Sequence, residues 1–184
     1  MMKKILIYLF GLLCCYACSD TTPTDINEET AQHYYDTTKG TYVGNIMVDN
    51  IPQKIYITVD NDITIRPVPV KPILSHIFTN DTELEEAVAS AGNVVFTVTP
   101  NYMAIVSGNV VLNIEPKDLV FTVTVNQKTY QVSALMDTSV FVNRTTDELS
   151  LTMVVQQLSC DGKSYDVTTN GIVYIVDSAK KDQN

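Results

Sequence analysis

Leu149-Ser150-Leu151-Thr152-Met153-Val154-Val155-Gln156-Gln157-Leu158-Ser159-Cys160-Asp161-Gly162-Lys163-Ser164-Tyr165-Asp166-Val167-Thr168-Thr169-Asn170-Gly171-Ile172-Val173-Tyr174-Ile175-Val176 reads as three strands joined by tight turns. Leu149, Leu151, Met153 and Val155 fall on one face, because successive side chains alternate across an extended chain. Asp161-Gly162 and Asn170-Gly171 are favoured two-residue hairpin turns, since type I′ geometry needs positive φ at both central residues. They connect Leu149–Leu158, Ser164–Thr168 and Ile172–Val176 into a meander. Asp161-Gly162 also places Cys160 at a strand end.

The same reading extends toward the N-terminus. Val94–Thr99, Tyr102–Val106, Val110–Ile114, Leu119–Val125, Thr129–Met136 and a short Ser139–Asn143 are rich in β-branched residues. Ser107-Gly108-Asn109 and Asn126-Gln127-Lys128 read as turns, and Glu115-Pro116-Lys117-Asp118 interrupts pairing. Further upstream, Tyr42, Ile46 and Val48 share one face. Ile55, Ile57 and Val59 oppose Lys54, Tyr56 and Thr58. Asp60-Asn61-Asp62 turns the chain into Ile63-Thr64-Ile65-Arg66. Pro67, Pro69 and Pro72 then end sheet pairing, because proline has no N–H for a ladder.

Between these strands lies a helical insert. Pro72 suits a first helical turn. Ile73, Leu74, Ile77 and Phe78 recur at helical spacing. Thr82-x-x-Glu85 has the capping-box pattern, Leu84, Ala87 and Val88 continue an apolar stripe, and Gly92 stops it. The expected fold class is therefore all-β: an antiparallel β-barrel or sandwich, a meander of about ten to twelve strands, with a short two-helix insert near residues 72–91. No fixed-period repeat appears, so residues 41–177 are expected to form a single domain, with 178–184 a polar disordered tail.

The opening segment has a different character. Lys3 and Lys4 precede the apolar run Ile5–Leu13, which is shorter than the ~20 residues a membrane-spanning helix needs. It has the form of a secretory signal over residues 1–17. Ala17-Cys18 closes it and resembles the lipobox of bacterial lipoproteins, with Cys15 in the place of the usual aliphatic residue. That resemblance implies cleavage before Cys18 and addition of a diacylglyceryl group to its thiol, with palmitate-type acyl chains. An ordinary cleaved signal would instead leave a secreted protein. Two or more acyl chains give durable attachment where one gives only reversible binding. Residues 18–40 then read as lipidated cysteine and tether. Ser19 to about Gln32 is polar, spans ~45 Å when fully extended, and Asp25-x-x-Glu28 has the spacing to cap a short helix running toward Tyr34.

Charge and cysteines narrow the function classes. The chain carries a net charge of −9. Residues 1–18 hold two lysines and no acids, so their removal takes the charge to −11. Such a chain repels nucleic-acid phosphate, and no nucleic-acid partner is expected. Three of the four cysteines lie in the opening segment. Cys160 remains alone, as a reactive or pairing thiol or as an incidental strand-end residue.

Patterns that would carry catalysis are sparse. His33 and His76 are far apart, and a zinc site needs three or four clustered ligands, so neither metal nor cofactor is expected. Ser75 and His76 are adjacent and would point ~100° apart on a helix. Asp60-x-Asp62 hints at calcium, yet Arg66 and Lys71 follow where oxygen ligands belong. A polar turn accounts for it. Glu83, Glu85 and Glu86 have the types for a carboxylate pair, but at a helix start they complement the dipole. Tyr42, Tyr102, Tyr130, Tyr165 and Tyr174 lie in strands. They form either a binding platform for sugar or protein, or core packing with hydroxyls at the rim.

Thr41-Tyr42-x-Gly44 opening the first strand, Pro69-Val70-Lys71-Pro72-Ile73-Leu74 entering the insert, and the downstream meander together resemble an uncharacterised family. Its members are lipoproteins of gut Bacteroidetes, classed only as a domain of unknown function. The chain is also similar to calycin-like, lipocalin-like barrels, with Gly40-Thr41-Tyr42 where lipocalins carry Gly-x-Trp. The first resemblance implies attachment in the cell envelope, at the outer membrane, and transfers no activity. The second implies a carrier of a small lipophilic ligand. The expected function is a non-enzymatic, lipid-anchored binding or interaction module. Its partners would be the membrane through the anchor, and an envelope protein or a small apolar ligand. An inhibitor or accessory subunit is the remaining alternative.

Overall fold

A computed structural model describes residues 28–48, 51–167 and 171–182. The strands are β1 (Gly40–Val48), β2 (Ile51–Val59), β3 (Ile63–Arg66), β4 (Phe96–Val98), β5 (Pro100–Val106), β6 (Asn109–Ile114), β7 (Lys117–Val125), β8 (Lys128–Asn143), β9 (Glu148–Cys160), β10 (Lys163–Tyr165) and β11 (Val173–Lys181). The helices are α1 (Glu28–Thr38), α2 (Lys71–Leu74) and α3 (Asp81–Ala91). All eleven strands belong to one antiparallel sheet, ordered β4-β3-β2-β1-β11-β9-β8-β6-β5, with β7 added to β8 and β10 to β9. The all-β antiparallel class is as expected, with few short helices.

The sheet is not closed by a ladder, since its path ends at β4 and β5. Those two ends are nevertheless neighbours in the chain, separated by Thr99 alone. The sheet must therefore curl until its edges converge there, giving an inner and an outer face. The inner face carries Tyr42, Ile46, Ile55, Ile57, Leu112, Leu151, Met153 and Tyr174, each no more than 1% exposed. Large side chains thus occupy the inner face, as they do in small barrels generally.

β8 and β9 form the spine. β8 runs sixteen residues, about 50 Å at 3.3 Å per residue. Its second half lies between β6 and β9, in the proximal half of the molecule. Its first half lies between β7 and β9 and, with β10, builds a distal lobe. The two short strands expected at Thr129–Met136 and Ser139–Asn143 are one. Asp137 and Thr138 continue the alternation, pairing with Val154 and Met153. Thr138 is buried on the inner face, and its Oγ1 has no hydrogen-bond partner.

One irregularity joins the two halves. Leu135 pairs with Gln157 and Met136 with Val155, so Gln156 is an extra residue on β9. A bulge of this kind bends its strand and shifts the facing by one residue. Before it the buried residues of β9 are odd-numbered (Leu149, Leu151, Met153, Val155); after it they are even-numbered (Leu158, Cys160). The bulge therefore keeps both stretches facing inward.

Two boundaries differ from the sequence reading. The tether does not reach residue 40: α1 forms, and Thr38 is fully buried. Arg144 lies over the Tyr34 ring at 4.1 Å, and its Nε donates to Thr37 Oγ1 at 3.1 Å. The Tyr42 hydroxyl donates to the Thr38 carbonyl at 2.8 Å. Likewise, residues 178–181 are strand, not tail. Ala179 is fully buried and Lys180 and Lys181 pair with β1. Lys181 Nζ also donates to the Thr37 carbonyl at 2.9 Å. Polar composition hid both, because what holds them is partners far away in the chain.

The insert forms two helices, as expected. The cap of α3 is Asn80 rather than Thr82: its side chain accepts from the N–H groups of Thr82 and Glu83. Gly92 ends the helix with a positive φ of 61°, where a side chain would be strained. α3 packs along β7. Ser90 Oγ accepts from the Thr124 N–H, and the Glu86 carboxylate accepts from the Asn126 N–H.

Candidate functional site

Cys18 and the rest of the opening segment lie outside the described residues, as do Asn170 of the second turn and the side chain of Tyr102. Cys160 is a free thiol, buried on the inner row of β9. Burial, and then the nearby Asp161 charge, push its pKa up, which disfavours the thiolate. His33 is exposed on α1 and His76 half-buried after α2. Ser75 Oγ donates to the Pro72 carbonyl at 2.9 Å, and His76 Nδ1 lies 3.0 Å from the same oxygen. The pair thus shares an acceptor and makes no nucleophile–base contact. Among the described residues no His, Cys, Asp and Glu group is arranged to hold a metal ion.

The acidic candidates have structural partners. Asp62 Oδ1 accepts from Thr99 Oγ1 at 2.6 Å, and the Asp60 carbonyl accepts from the Tyr35 hydroxyl. This turn therefore fastens α1 to the sheet. Glu83 and Glu86 both accept from Asn126 at the β7–β8 turn, while Glu85 pairs with Lys71 at 3.0 Å. The described tyrosines are divided between the core and the surface, and Tyr165 is half-buried in β10. Tyr42 and Tyr174 are fully buried, and the Tyr174 hydroxyl donates to the Pro69 carbonyl at 2.8 Å. Tyr130 meets Phe78 edge-on at 5.6 Å. Burial, with a smaller push from Asp147, raises the Tyr42 hydroxyl to about 12.

The structure brings together a different set. On the outer face of the distal lobe, beside the Gln156 bulge, a cleft of about 230 Å³ has among its lining residues Asp118, Ser133, Leu135, Gln157, Ser159, Ser164, Tyr165 and Asp166. Ladder register places most of them in two rows. Asp118, Leu135 and Gln157 form one, and Val120, Ser133, Ser159 and Ser164 the other. Ser133 Oγ donates to Asp118 Oδ1 at 3.0 Å. The cleft offers hydroxyls, amides and carboxylates, and no cationic side chain is among its lining residues. It can hold a polar group by hydrogen bonds and disfavours an anion.

Of the cleft's lining residues, the sequence pointed to Tyr165 alone, as one of the strand tyrosines. One further signal was present: Val155-Gln156-Gln157-Leu158 breaks strict alternation with two consecutive polar residues, the mark of a bulge. Bulges recur beside functional sites because they re-aim side chains.

The family model that matches covers residues 36–160, from within α1 to the end of β9, and is described as a domain of unknown function (DUF4840). No curated protein and no solved structure matches the chain.

Proposed function

This chain belongs to the family of that domain of unknown function (DUF4840), and from that premise we propose a lipid-anchored module of the cell envelope that binds, without catalysis, through its outer surface. The anchor is supported by Lys3-Lys4, the short apolar run and Ala17-Cys18. Cys18 carries the lipid, and the outer membrane holds it. Among the described residues no helix is long and apolar enough to cross a membrane.

One observation carries the binding reading. The inner face is occupied by large buried side chains, whereas the polar cleft opens outside. A carrier of a small lipophilic ligand needs interior space, so the outer cleft supports an interaction module better. Metabolic labelling with a fatty-acid analogue should mark the wild-type protein and leave Cys18→Ala unlabelled. Mass spectrometry of protein extracted from its membrane should find the covalent lipid alone. A stoichiometric second lipid would replace the outer-surface reading with the carrier reading.

A second reading, an accessory subunit or inhibitor docked on an envelope protein, is favoured by an exposed apolar stretch. Ile175 is 40% exposed and pairs with Met47, which in turn pairs with Pro52; Val173 is 38% exposed alongside. Crosslinking in cells from a photoreactive residue at 175 would recover one envelope protein if this face docks.

A further inference from the structure

Resting on the reading of the outer surface as the binding surface, we propose that the cleft beside Gln156 takes the side chain of a lysine or arginine presented by an extended segment of a partner protein. Such a side chain has an apolar stem and a charged head that must both be satisfied. The cleft supplies both. Leu135 is half-buried in its floor, and Val120, in the adjoining row, is 52% exposed. Asp118, exposed on the outer face of β7, supplies the carboxylate. The bond from Ser133 uses one acceptor site of the Asp118 carboxylate, and a carboxylate has about four. Ser159 and Ser164 add hydroxyl acceptors for the remaining N–H groups.

Size and charge point the same way. Sites for drug-sized ligands run ~300–1,000 Å³, so about 230 Å³ suits one side chain better than a whole small molecule. The chain's net charge of −9 draws positive partners toward it. A sugar would want an open aromatic face, and Tyr165, the one aromatic residue lining the cleft, does not offer one. Tyr165 pairs with the inward-facing Leu158, and the Lys163 ammonium lies 5.0 Å from its ring.

The test uses the full-length, isotope-labelled protein in detergent micelles, titrated with blocked pentapeptides of glycine bearing a central Lys, Arg, Gln or Glu, and with a neutral disaccharide. The Lys and Arg peptides should saturably shift the backbone amide signals of Ser133, Gln157, Ser159 and Ser164. Asp118→Asn should weaken them up to about fivefold, as expected for one exposed ion pair. Raising salt from 0.1 M to 1 M should weaken them further, since the Debye length falls from ~10 to ~3 Å. Equal binding of the Gln peptide, or shifts from the disaccharide alone, would overturn the basic-side-chain assignment while leaving the outer-surface reading standing. Silence from every probe would overturn it as well; the outer-surface reading fails only if a second lipid is found inside the extracted protein.

Discussion

The proximal half and the distal lobe are built on the same two strands, yet they differ in what lies beside them. In the proximal half β8 and β9 are flanked by β6 and β11, so their backbone groups are paired on both sides. α1 adds Arg144–Tyr34 stacking and hydrogen bonds through Thr37 and Thr38. In the distal lobe β7 and β10 are the outermost strands. There α3 covers the end of β7 through Ser90 and Glu86, and β10 is only three residues long, which limits its exposed edge. The inner faces are equally apolar in both regions. What separates them is one extra residue, Gln156, beyond which the outer face turns into a polar cleft. A single bulge thus divides one sheet into a stabilising part and a presenting part without breaking its core.

The largest expected effect lies in the proximal half. A Cβ built on Gly44 would sit 2.8 Å from the Ala179 Cβ and 2.9 Å from its Cα, so neither neighbour can swing away. Gly44→Val should cost about 3 kcal/mol, the upper range for overpacking. Urea unfolding would measure it, and an unchanged midpoint would show that β1 and β11 are not so closely apposed. Tyr42→Phe should cost about 1 kcal/mol near neutral pH, through the lost bond to Thr38. Its pH dependence is more telling. An unfolded tyrosine ionises near pH 10, while Tyr42 holds its proton to about 12. Its stabilising effect is therefore complete below pH 10 and is lost as pH rises from 10 toward 12. The phenylalanine variant should show a shallower alkaline decline in stability.

Expected effects in the distal lobe are smaller. Deleting Gln156 restores strict alternation, with Val155 and Leu158 still facing inward. The cost should be about 1 kcal/mol, while hydrogen exchange of Gln157, Ser159 and Ser164 should change. A loss of folding would mean that the bulge holds the two inner rows in register. Asp118→Asn should leave stability within about 0.5 kcal/mol by urea unfolding, as for an exposed polar change. A larger loss would assign Asp118 to the framework and not to the cleft's ligand chemistry.

Much of the strand content was legible because alternation is local. Ile55, Ile57 and Val59 announce a strand without knowledge of any neighbour, and all three are buried as that pattern requires. Asp161-Gly162 was legible too: both residues take positive φ, 48° and 78°. Gln127, with φ 63°, carries no such signal in its side chain. The cleft was not legible, because Asp118, Ser133, Gln157 and Ser164 come from four strands and meet only through pairing. Of that site, the Gln156-Gln157 interruption and Tyr165 could be seen in the chain.

What the residues determined unaided was a β-rich chain with two helices in its insert, a strongly acidic balance and a cysteine-bearing apolar opening segment. Those properties depend on neighbours in sequence or on composition alone. The tertiary structure decided the rest. It joined residues 128–143 into one strand, drew α1 and the C-terminal residues into the fold, and turned Gln156 into a hinge of facing. Each of these is a long-range pairing, whose stability resides in partners that the local sequence does not name.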